Sequence, residues 1–150
     1  VVFGVILEST GASDALIRAS VALTGKTRGG PAHSAVVASA VFGSMSGSVT
    51  ANVVGTGSFT IPMIKRRGFS GPMAGGIEAA ASTGGQIVPP VMGAAAFLMA
   101  DLTGEAYTTI CIAALIPALF YYGSLFASIS IQAGADGIAP LAASVSLSVS

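Results

Sequence analysis

Small hydroxyl and amide side chains gather in two short stretches of this sequence, each beside residues that interrupt helices. The first stretch covers residues 43–50, and the second covers residues 82–90, where two glycines and two prolines make a continuous helix implausible. Side-chain and backbone oxygens are hard donors that suit sodium, and the N-termini of interrupted helices attract anions. We therefore predict a site for a cation and an anion where the two stretches meet.

The candidate ligands are residues whose oxygens would face such a site. From the first stretch and the turn after it they are Ser46, Ser48, Thr50 and Asn52; from the second they are Ser82, Thr83 and Gln86, with backbone oxygens around Gly84 and Gly85. The alternative for each hydroxyl is that a small residue merely lets two helices pack closely. Because these hydroxyl and amide residues cluster at two helix interruptions, we favour the binding site over simple helix packing.

Glu78 is the acidic residue nearest to these stretches, one helical turn before Ser82. An ionisable group inside a membrane segment is a functional candidate, so Glu78 could bind a cation or carry a proton. The alternative is a partly exposed acid near the cytoplasmic start of a helix. The sequence leaves both open.

The composition indicates a membrane protein. The 150 residues include six Lys and Arg, six Asp and Glu, and the mean hydropathy is +0.84, whereas a soluble domain has roughly 25% charged residues. Cys111 is the single cysteine, which excludes an internal disulfide and a cysteine metal site. A net charge of zero gives no reason to expect nucleic acid as a partner. The sequence begins without Met or a signal peptide, and we expect it to be a fragment of a longer protein.

The positions of the basic residues predict how the first apolar stretch enters the membrane. Residues 34–64 carry no charge and would form a helix of about 46 Å, too long for one crossing, while two crossings need about 40 residues. Lys26 and Arg28 precede the stretch and residues 65–67 follow it, so both ends are expected on the cytoplasmic side. We predict a re-entrant helical hairpin over residues 31–67, with its tip near 44–50.

The remaining segments predict further membrane elements. We expect the end of a membrane helix and an interfacial amphipathic arm over residues 1–30, a broken transmembrane helix over 70–101 with its break near 82–90, and a transmembrane helix over 106–127. Pro117 is a candidate kink, and the Tyr121–Tyr122 pair is interpreted as interfacial or packing aromatic residues. No role is predicted for residues 128–150.

Two other functions fit parts of the pattern. Residues 43–47, Gly-Ser-Met-Ser-Gly, are similar to the G-x-S-x-G sequence of serine hydrolases, although the serine stands one place later, and a hydrolase would use Ser46 as nucleophile and His33 as base. That motif requires a strand before the serine and an acid to orient the histidine, and neither is expected, so we predict no enzyme and place His33 in a loop beside the hairpin. A re-entrant segment can also form the filter of a passive channel, but nothing indicates a symmetric ring.

Two longer motifs resemble a known family. Residues 42–52, Phe-Gly-Ser-Met-Ser-Gly-Ser-Val-Thr-Ala-Asn, and residues 78–97, which include Ser-Thr-Gly-Gly-Gln-Ile-Val-Pro-Pro, closely resemble the large permease subunit of tripartite ATP-independent periplasmic (TRAP) transporters, particularly fused permeases of the TAXI type. The resemblance covers about residues 1–127. Val91 stands where many relatives have Ser after the proline pair. This difference weakens the inference that the carboxylate specificity of other subfamilies applies to this chain.

The resemblance implies an all-α membrane protein, half of an inverted-repeat, elevator-type transport domain like those of the ion transporter superfamily. It implies a multi-pass protein of the bacterial inner membrane that takes up small organic anions, usually carboxylates. The implied partners are a periplasmic substrate-binding protein and a small TRAP membrane subunit, which can be fused to the permease. Sodium is the implied coupling ion, and no cofactor is expected.

The residue chemistry and the resemblance together assign roles to individual residues. The sodium site maps onto Ser46, Gly47, Ser48, Asn52, Ser82 and Gly84, and the substrate is expected near Thr50, Thr83, Gln86, Pro89 and Pro90. Glu78 is the candidate for ion or proton coupling.

Overall fold

A computed structural model describes residues 30–138, and within this range every regular element is an α-helix. The helices are α1 (Gly30–Ser46), α2 (Val49–Lys65), α3 (Gly71–Gly84), α4 (Ala94–Thr103) and α5 (Tyr107–Ala135). The described part of the chain is therefore all-α, as the sequence predicts. The interfacial arm expected within residues 1–30 lies outside the described residues, as do residues 139–150.

Helices α1 and α2 form an antiparallel hairpin with a very short turn. Gly47 takes a left-handed backbone conformation with φ of 59°, which a glycine adopts without a steric penalty. Ser48 then caps α2, because its Oγ accepts a hydrogen bond from the Ala51 amide at 3.3 Å. Each helix has 17 residues, about 26 Å of length, which is less than the roughly 30 Å of a bilayer core.

Helices α3 and α4 are separated by a segment of turns over residues 85–93. Ser70 caps the start of α3 by accepting from the Met73 amide at 3.4 Å. The last turn of α3 has the tighter hydrogen-bond pattern of a 3₁₀-helix, because the Gly85 amide donates to the Ser82 carbonyl and the Gln86 amide to the Thr83 carbonyl, both at 3.2 Å. The peptide bond between Pro89 and Pro90 is cis, and Gly93 donates to the Gln86 carbonyl at 2.8 Å. This segment includes residues 85–90 of the predicted break and continues to the start of α4, whereas residues 82–84 are still part of α3.

The packed core lies among α1, α2 and α3, with the second half of α5 against it. Its buried side chains are small or branched, with one aromatic residue: Ala32, Ala35, Val36, Ile64, Phe69, Ala74, Ile77, Ala81, Ile129 and Ala133. Alanines let the helices approach closely, as in many membrane helix bundles. The core therefore holds the hairpin and α3 as one unit.

Helix α5 is longer than the predicted span. It runs from Tyr107 to Ala135, eight residues beyond the predicted end at residue 127. Residues 128–133 contain no glycine, proline or charge, so nothing stops the helix before Gly134 and the turn at Asp136 and Gly137, whose φ is 66°.

Helix α5 is also the one helix of residues 30–138 that is long and apolar enough to cross a membrane. Large apolar side chains are exposed along it, including Ile112, Ile116, Leu119 and Phe120, and Leu98 and Leu102 continue this surface on α4. In water such a surface would be costly, so it is consistent with a membrane protein.

Candidate functional site

The two helix interruptions, namely the hairpin tip between α1 and α2 and the segment of residues 85–93 between α3 and α4, lie in direct contact. The Val91 amide, after α3, donates to the Ser44 carbonyl at 3.0 Å, one turn before the hairpin tip. A Cβ added to Gly43 would lie 2.6 Å from the Gly85 Cα, and a Cβ added to Gly47 would lie 2.0 Å from the Met92 carbonyl oxygen. The backbones meet this closely because glycine has no side chain at these points.

The hairpin tip holds the first group of predicted ligands. Ser46 is the last residue of α1, and its Oγ accepts from the Ser48 amide at 3.5 Å. Ser48 and Thr50 are exposed in the first turn of α2, while Ser46 and Gly47 are half-buried. The tip therefore presents hydroxyl oxygens at the surface, next to the segment between α3 and α4.

A buried polar cluster forms a second group, around Glu78. The carboxylate is fully buried, and its Oε1 accepts from Ser39 Oγ at 3.0 Å and from Ser82 Oγ at 3.3 Å. Thr56 Oγ1 also donates to Oε1, and Thr60 Oγ1 donates to Oε2 at 2.6 Å. Hydroxyls from α1, α2 and α3 thus surround one carboxylate, and no cationic side chain of the described residues bonds to it.

The hydroxyls of this cluster have more than one acceptor. Thr60 Oγ1 also lies 2.9 Å from the Thr56 carbonyl oxygen, and Thr56 Oγ1 lies 2.9 Å from the Asn52 carbonyl oxygen. Each hydroxyl has one proton, so rotation about its C–O bond selects the acceptor. The network therefore adapts to a change at Glu78 without moving a helix.

Asn52 connects the buried cluster to the interruptions. Its Nδ2 donates to the Ser39 carbonyl at 2.8 Å, and its Oδ1 accepts from Thr56 Oγ1 at 3.2 Å. A Cβ added to Gly43 would lie 2.9 Å from the same Nδ2. Asn52 therefore contacts both the cluster and the point where Gly43 meets Gly85.

The structure separates five of the six predicted sodium ligands into these two groups. Ser46, Gly47 and Ser48 are at the tip, whereas Asn52 and Ser82 are inside the cluster, fully buried and hydrogen-bonded there. Gly84 ends α3 and lies against two tyrosine rings of α5. The sodium assignments stay predictions, with Asn52 as the residue that joins the groups.

The predicted substrate residues lie around the interruptions. Thr83 is exposed and donates to the Ala79 carbonyl of its own helix at 2.8 Å. Gln86 packs on Gly93, and Thr50 is exposed on α2. Pro89 and Pro90 lie on the α5 side, where Tyr107 donates to the Pro90 carbonyl at 3.1 Å.

An apolar cavity of about 500 Å³ lies between this segment, α4 and α5. Its walls include Ile87, Met92, Met99 and Ile110, and Glu105 lies at its edge. An anion would meet apolar walls and a like charge there, so this cavity does not suit a carboxylate.

The structure excludes one of the two alternatives for Glu78 and corrects the expected position of His33. Glu78 is not a partly exposed acid, because three helices enclose it completely. His33 is not in a loop: it lies in α1, where Pro31 is tolerated because the first turn of a helix needs no proline amide. The His33 ring is buried and stacks on Phe126 with centroids 4.7 Å apart.

The position of His33 removes the basis for a serine hydrolase. His33 and Ser46 lie near opposite ends of α1, about 20 Å apart at a rise of about 1.5 Å per residue. His33 Nε2 instead lies 3.2 Å from the Phe126 carbonyl and 3.2 Å from Ser130 Oγ. Proton transfer between Ser46 and His33 needs direct hydrogen bonding, which this geometry forbids.

Sequence reasoning missed three residues of the cluster, namely Ser39, Thr56 and Thr60. Asn52, Thr56 and Thr60 recur every four residues and share one face of α2, a polar stripe within an apolar helix. That four-residue spacing is the feature of the sequence that could have identified Thr56 and Thr60.

Comparison with known proteins agrees with the resemblance. Residues 1–148 match the family model described as the tripartite ATP-independent periplasmic transporter, DctM component. This match extends past residue 127, where the resemblance seen in the motifs ended.

Several curated proteins are similar to the chain. A sialic acid TRAP transporter permease of Haemophilus influenzae is 29% identical over 124 residues, which is 83% of this chain and 20% of that protein. C4-dicarboxylate TRAP large permeases of Vibrio cholerae and Pseudomonas aeruginosa are 37% and 32% identical over 56% and 77% of the chain, and over 18% and 27% of their own lengths. The chain thus spans about a fifth of the first two relatives.

These relatives are named as transport permeases and not as enzymes. The family match covers nearly the whole sequence. The chain therefore belongs to the DctM family, the large permease component of tripartite ATP-independent periplasmic transporters.

Proposed function

We propose that this chain forms one half of the ion and substrate site in a sodium-coupled secondary transporter that takes up small organic anions. The complete permease would lie in the bacterial inner membrane and cross it several times. It would receive substrate from a periplasmic binding protein and work with a small membrane subunit. The mechanism proposed is an elevator, in which the hairpin and broken helix carry the site across the membrane.

The contact between the two interruptions is the observation that carries this proposal. Non-helical backbone inside a membrane is tolerated where protein or a water-filled cavity surrounds it. The Ser44 carbonyl receives the Val91 amide at 3.0 Å, so the hairpin tip and the break support each other. A re-entrant hairpin beside a broken helix is an arrangement in which transporters bind ions and anionic substrates.

The proposed sodium ligands are Ser46, Gly47, Ser48, Asn52, Ser82 and Gly84, and the proposed substrate contacts are Thr50, Thr83, Gln86, Pro89 and Pro90. In this proposal the helix N-terminus at Ser48 faces the anion, because the positive end of a helix dipole favours negative charge. Glu78 is the proposed ion or proton coupling residue, since three helices meet at its carboxylate.

The proposed substrates are carboxylates. The relatives named above are described as transporters of sialic acid and C4-dicarboxylates, and both compounds carry carboxylate groups. Neither alternative, a channel or a hydrolase, is favoured by membership of a permease family.

Uptake into proteoliposomes tests the proposal. The complete permease, with its small subunit and binding protein, would be given a radiolabelled C4-dicarboxylate or sialic acid under imposed sodium or proton gradients. We expect saturable uptake of at least one compound that requires both the binding protein and an inward sodium gradient. Uptake that persists without the binding protein, or that ignores sodium, would contradict the proposal.

A further inference from the structure

The end of α3 changes its hydrogen-bond pattern at the residue that touches the hairpin. In a regular α-helix the Gly85 amide would donate to the Ala81 carbonyl, four residues earlier. Here the Gly85 amide donates to the Ser82 carbonyl at 3.2 Å. The Ala81 carbonyl therefore needs another donor, as carbonyls at helix ends do.

Helix α5 supplies that donor. Tyr122 Oη donates to the Ala81 carbonyl at 2.8 Å, and Tyr121 Oη donates to the Ala80 carbonyl at 2.8 Å. The two rings meet edge to face with centroids 5.5 Å apart. Two adjacent side chains of one helix thus hold two adjacent carbonyls of another, at the turn where α3 ends.

Gly84 makes room for this contact. A Cβ at Gly84 would lie 2.6 Å from Tyr121 Cε1 and 2.7 Å from Tyr122 Cζ and Oη. No other residue would let both rings reach the α3 backbone without displacement. The same turn places Gly85 against Gly43, where an added Cβ on either glycine would lie 2.6 Å from the other's Cα.

We propose that Tyr122, with Tyr121 beside it, is a positioning residue of the candidate cation site. Its hydroxyl fixes where α3 stops being helical, which keeps Gly85 against Gly43 and so keeps Asn52 next to the interruptions. The two tyrosines also join α5 to the hairpin and α3 as one moving body. The effect on sodium binding rests on the proposed function, whereas the effect on the α3 end does not.

Hydrogen exchange in the complete purified permease tests the structural part. Tyr122→Phe removes the hydroxyl and keeps the ring. We expect exchange of the amides in residues 84–93 to accelerate about three- to tenfold, the range for one hydrogen bond. The matched control is Ser124→Ala, because the exposed Ser124 hydroxyl bonds only to the Tyr121 carbonyl of its own helix, at 2.8 Å.

The sodium dependence of the melting temperature tests the functional part. The melting temperature rises with the logarithm of the NaCl concentration above the sodium dissociation constant, and the half-saturating concentration is the dissociation constant fitted to that rise, with choline chloride keeping ionic strength constant. In Tyr122→Phe this concentration is expected to increase about three- to tenfold while the slope of the rise is retained. A purely structural residue would lower the melting temperature without changing that concentration. Gly84→Ala should accelerate exchange of the same amides, 84–93, by displacing both rings.

The two experiments distinguish failure of the Tyr122 inference from failure of the proposed sodium coupling. Unchanged exchange at residues 84–93 in Tyr122→Phe, or acceleration spread equally over α5, would overturn the inference. An unchanged half-saturating concentration would also overturn it, if sodium stabilises the wild type. A wild type that sodium does not stabilise would instead refute the proposed sodium coupling, and exchange would still decide whether Tyr122 positions the α3 end.

Discussion

Glu78 accepts hydrogen bonds from hydroxyls on three helices, and this arrangement makes its replacement informative. Oε1 faces Ser39, Thr56 and Ser82, while Oε2 faces Thr60. The sequence predicted that Glu78 could act in ion coupling, and it placed Ser82 one turn away. It gave no way to know that the surrounding helices bury the carboxylate, because burial depends on which faces pack together.

Replacing Glu78 by Gln and by Leu should have different effects on stability. A Gln amide can donate to Thr60 Oγ1, whose own proton then goes to the Thr56 carbonyl, 2.9 Å away. In Glu78→Leu the Thr56 and Thr60 hydroxyls can turn to backbone carbonyls, but Ser82 Oγ loses its acceptor, at about 1–3 kcal/mol for an unsatisfied buried group. We expect Glu78→Gln to keep a melting temperature close to wild type, and Glu78→Leu to lower it by several degrees.

The Glu78→Gln variant also tests whether Glu78 takes part in ion coupling. If Glu78 serves ion coupling, Glu78→Gln is expected to yield folded permease whose uptake depends differently on the sodium or proton gradient. Wild-type gradient dependence in a folded Glu78→Gln permease would count against a coupling role.

The three missed hydroxyls show a limit that belongs to single residues. Ser and Thr in membrane helices either pack closely or bond to their own backbone, and the sequence is the same in both cases. Thr60 Oγ1 lies within hydrogen-bonding distance of two acceptors, the Thr56 carbonyl of its own helix and the Glu78 carboxylate of α3. Only the packing of α1 and α3 against α2 shows that these hydroxyls surround Glu78 and do not merely allow the helices to pack closely.

At the scale of helices, the hairpin turn and the end of α3 followed from local chemistry. The sequence placed a tip near 44–50 and a break near 82–90; α1 ends at Ser46, α2 begins at Val49, α3 ends at Gly84 and α4 begins at Ala94. Glycine, proline and capping serines determine such ends locally. The length of α5 and the helical position of His33 did not follow, because Ala/Ser-rich sequence and a proline near a helix start are compatible with helix or loop.

The two capping serines provide a matched pair. Ser48 caps α2 at the hairpin tip and Ser70 caps α3 at its far end, each by accepting an amide three residues later. Replacing either by Ala should cost about 1 kcal/mol of stability. Only Ser48→Ala is expected to raise the half-saturating sodium concentration in the melting assay, since Ser70 is remote from the interruptions. An equal effect of Ser70→Ala on that concentration would show that stability alone explains it.

Two glycines test the close approach of the interruptions. Gly43→Ala would place a methyl group 2.6 Å from the Gly85 Cα, and overpacking of this kind costs about 1–3 kcal/mol. Gly123→Ala adds the same methyl group in α5, where no described atom lies within 4 Å, and Ala is favoured over Gly in a helix by about 0.5–1 kcal/mol. Thermal unfolding of the purified permease should show a lower melting temperature for the first and an unchanged or higher one for the second. Wild-type stability in Gly43→Ala would mean that the two backbones are further apart.

At the scale of the whole molecule, α5 belongs with the hairpin and α3. His33 of α1 stacks on Phe126, and the two tyrosines hold the end of α3. Large apolar side chains of α4 and α5 are exposed. Family membership was predictable from residues 42–52 and 78–97, whose glycines, serines and prolines sit at the contact between the interruptions. Contacts between distant residues such as Tyr122 and Ala81 carry no local signal, so the sequence could not predict them.

Binding of radioactive sodium to the purified permease tests the central claim, that the hairpin tip and the break together form a cation site. Gly47 and Gly104 both have left-handed backbones, with φ of 59° and 71°, so Ala strains both equally. A Cβ at Gly47 would also collide with the Met92 carbonyl at 2.0 Å, whereas one at Gly104 meets nothing described within 4 Å. We predict saturable binding in the wild type and in Gly104→Ala, and its loss in Gly47→Ala. Equal saturable binding in all three proteins, or none in the wild type, would contradict the account.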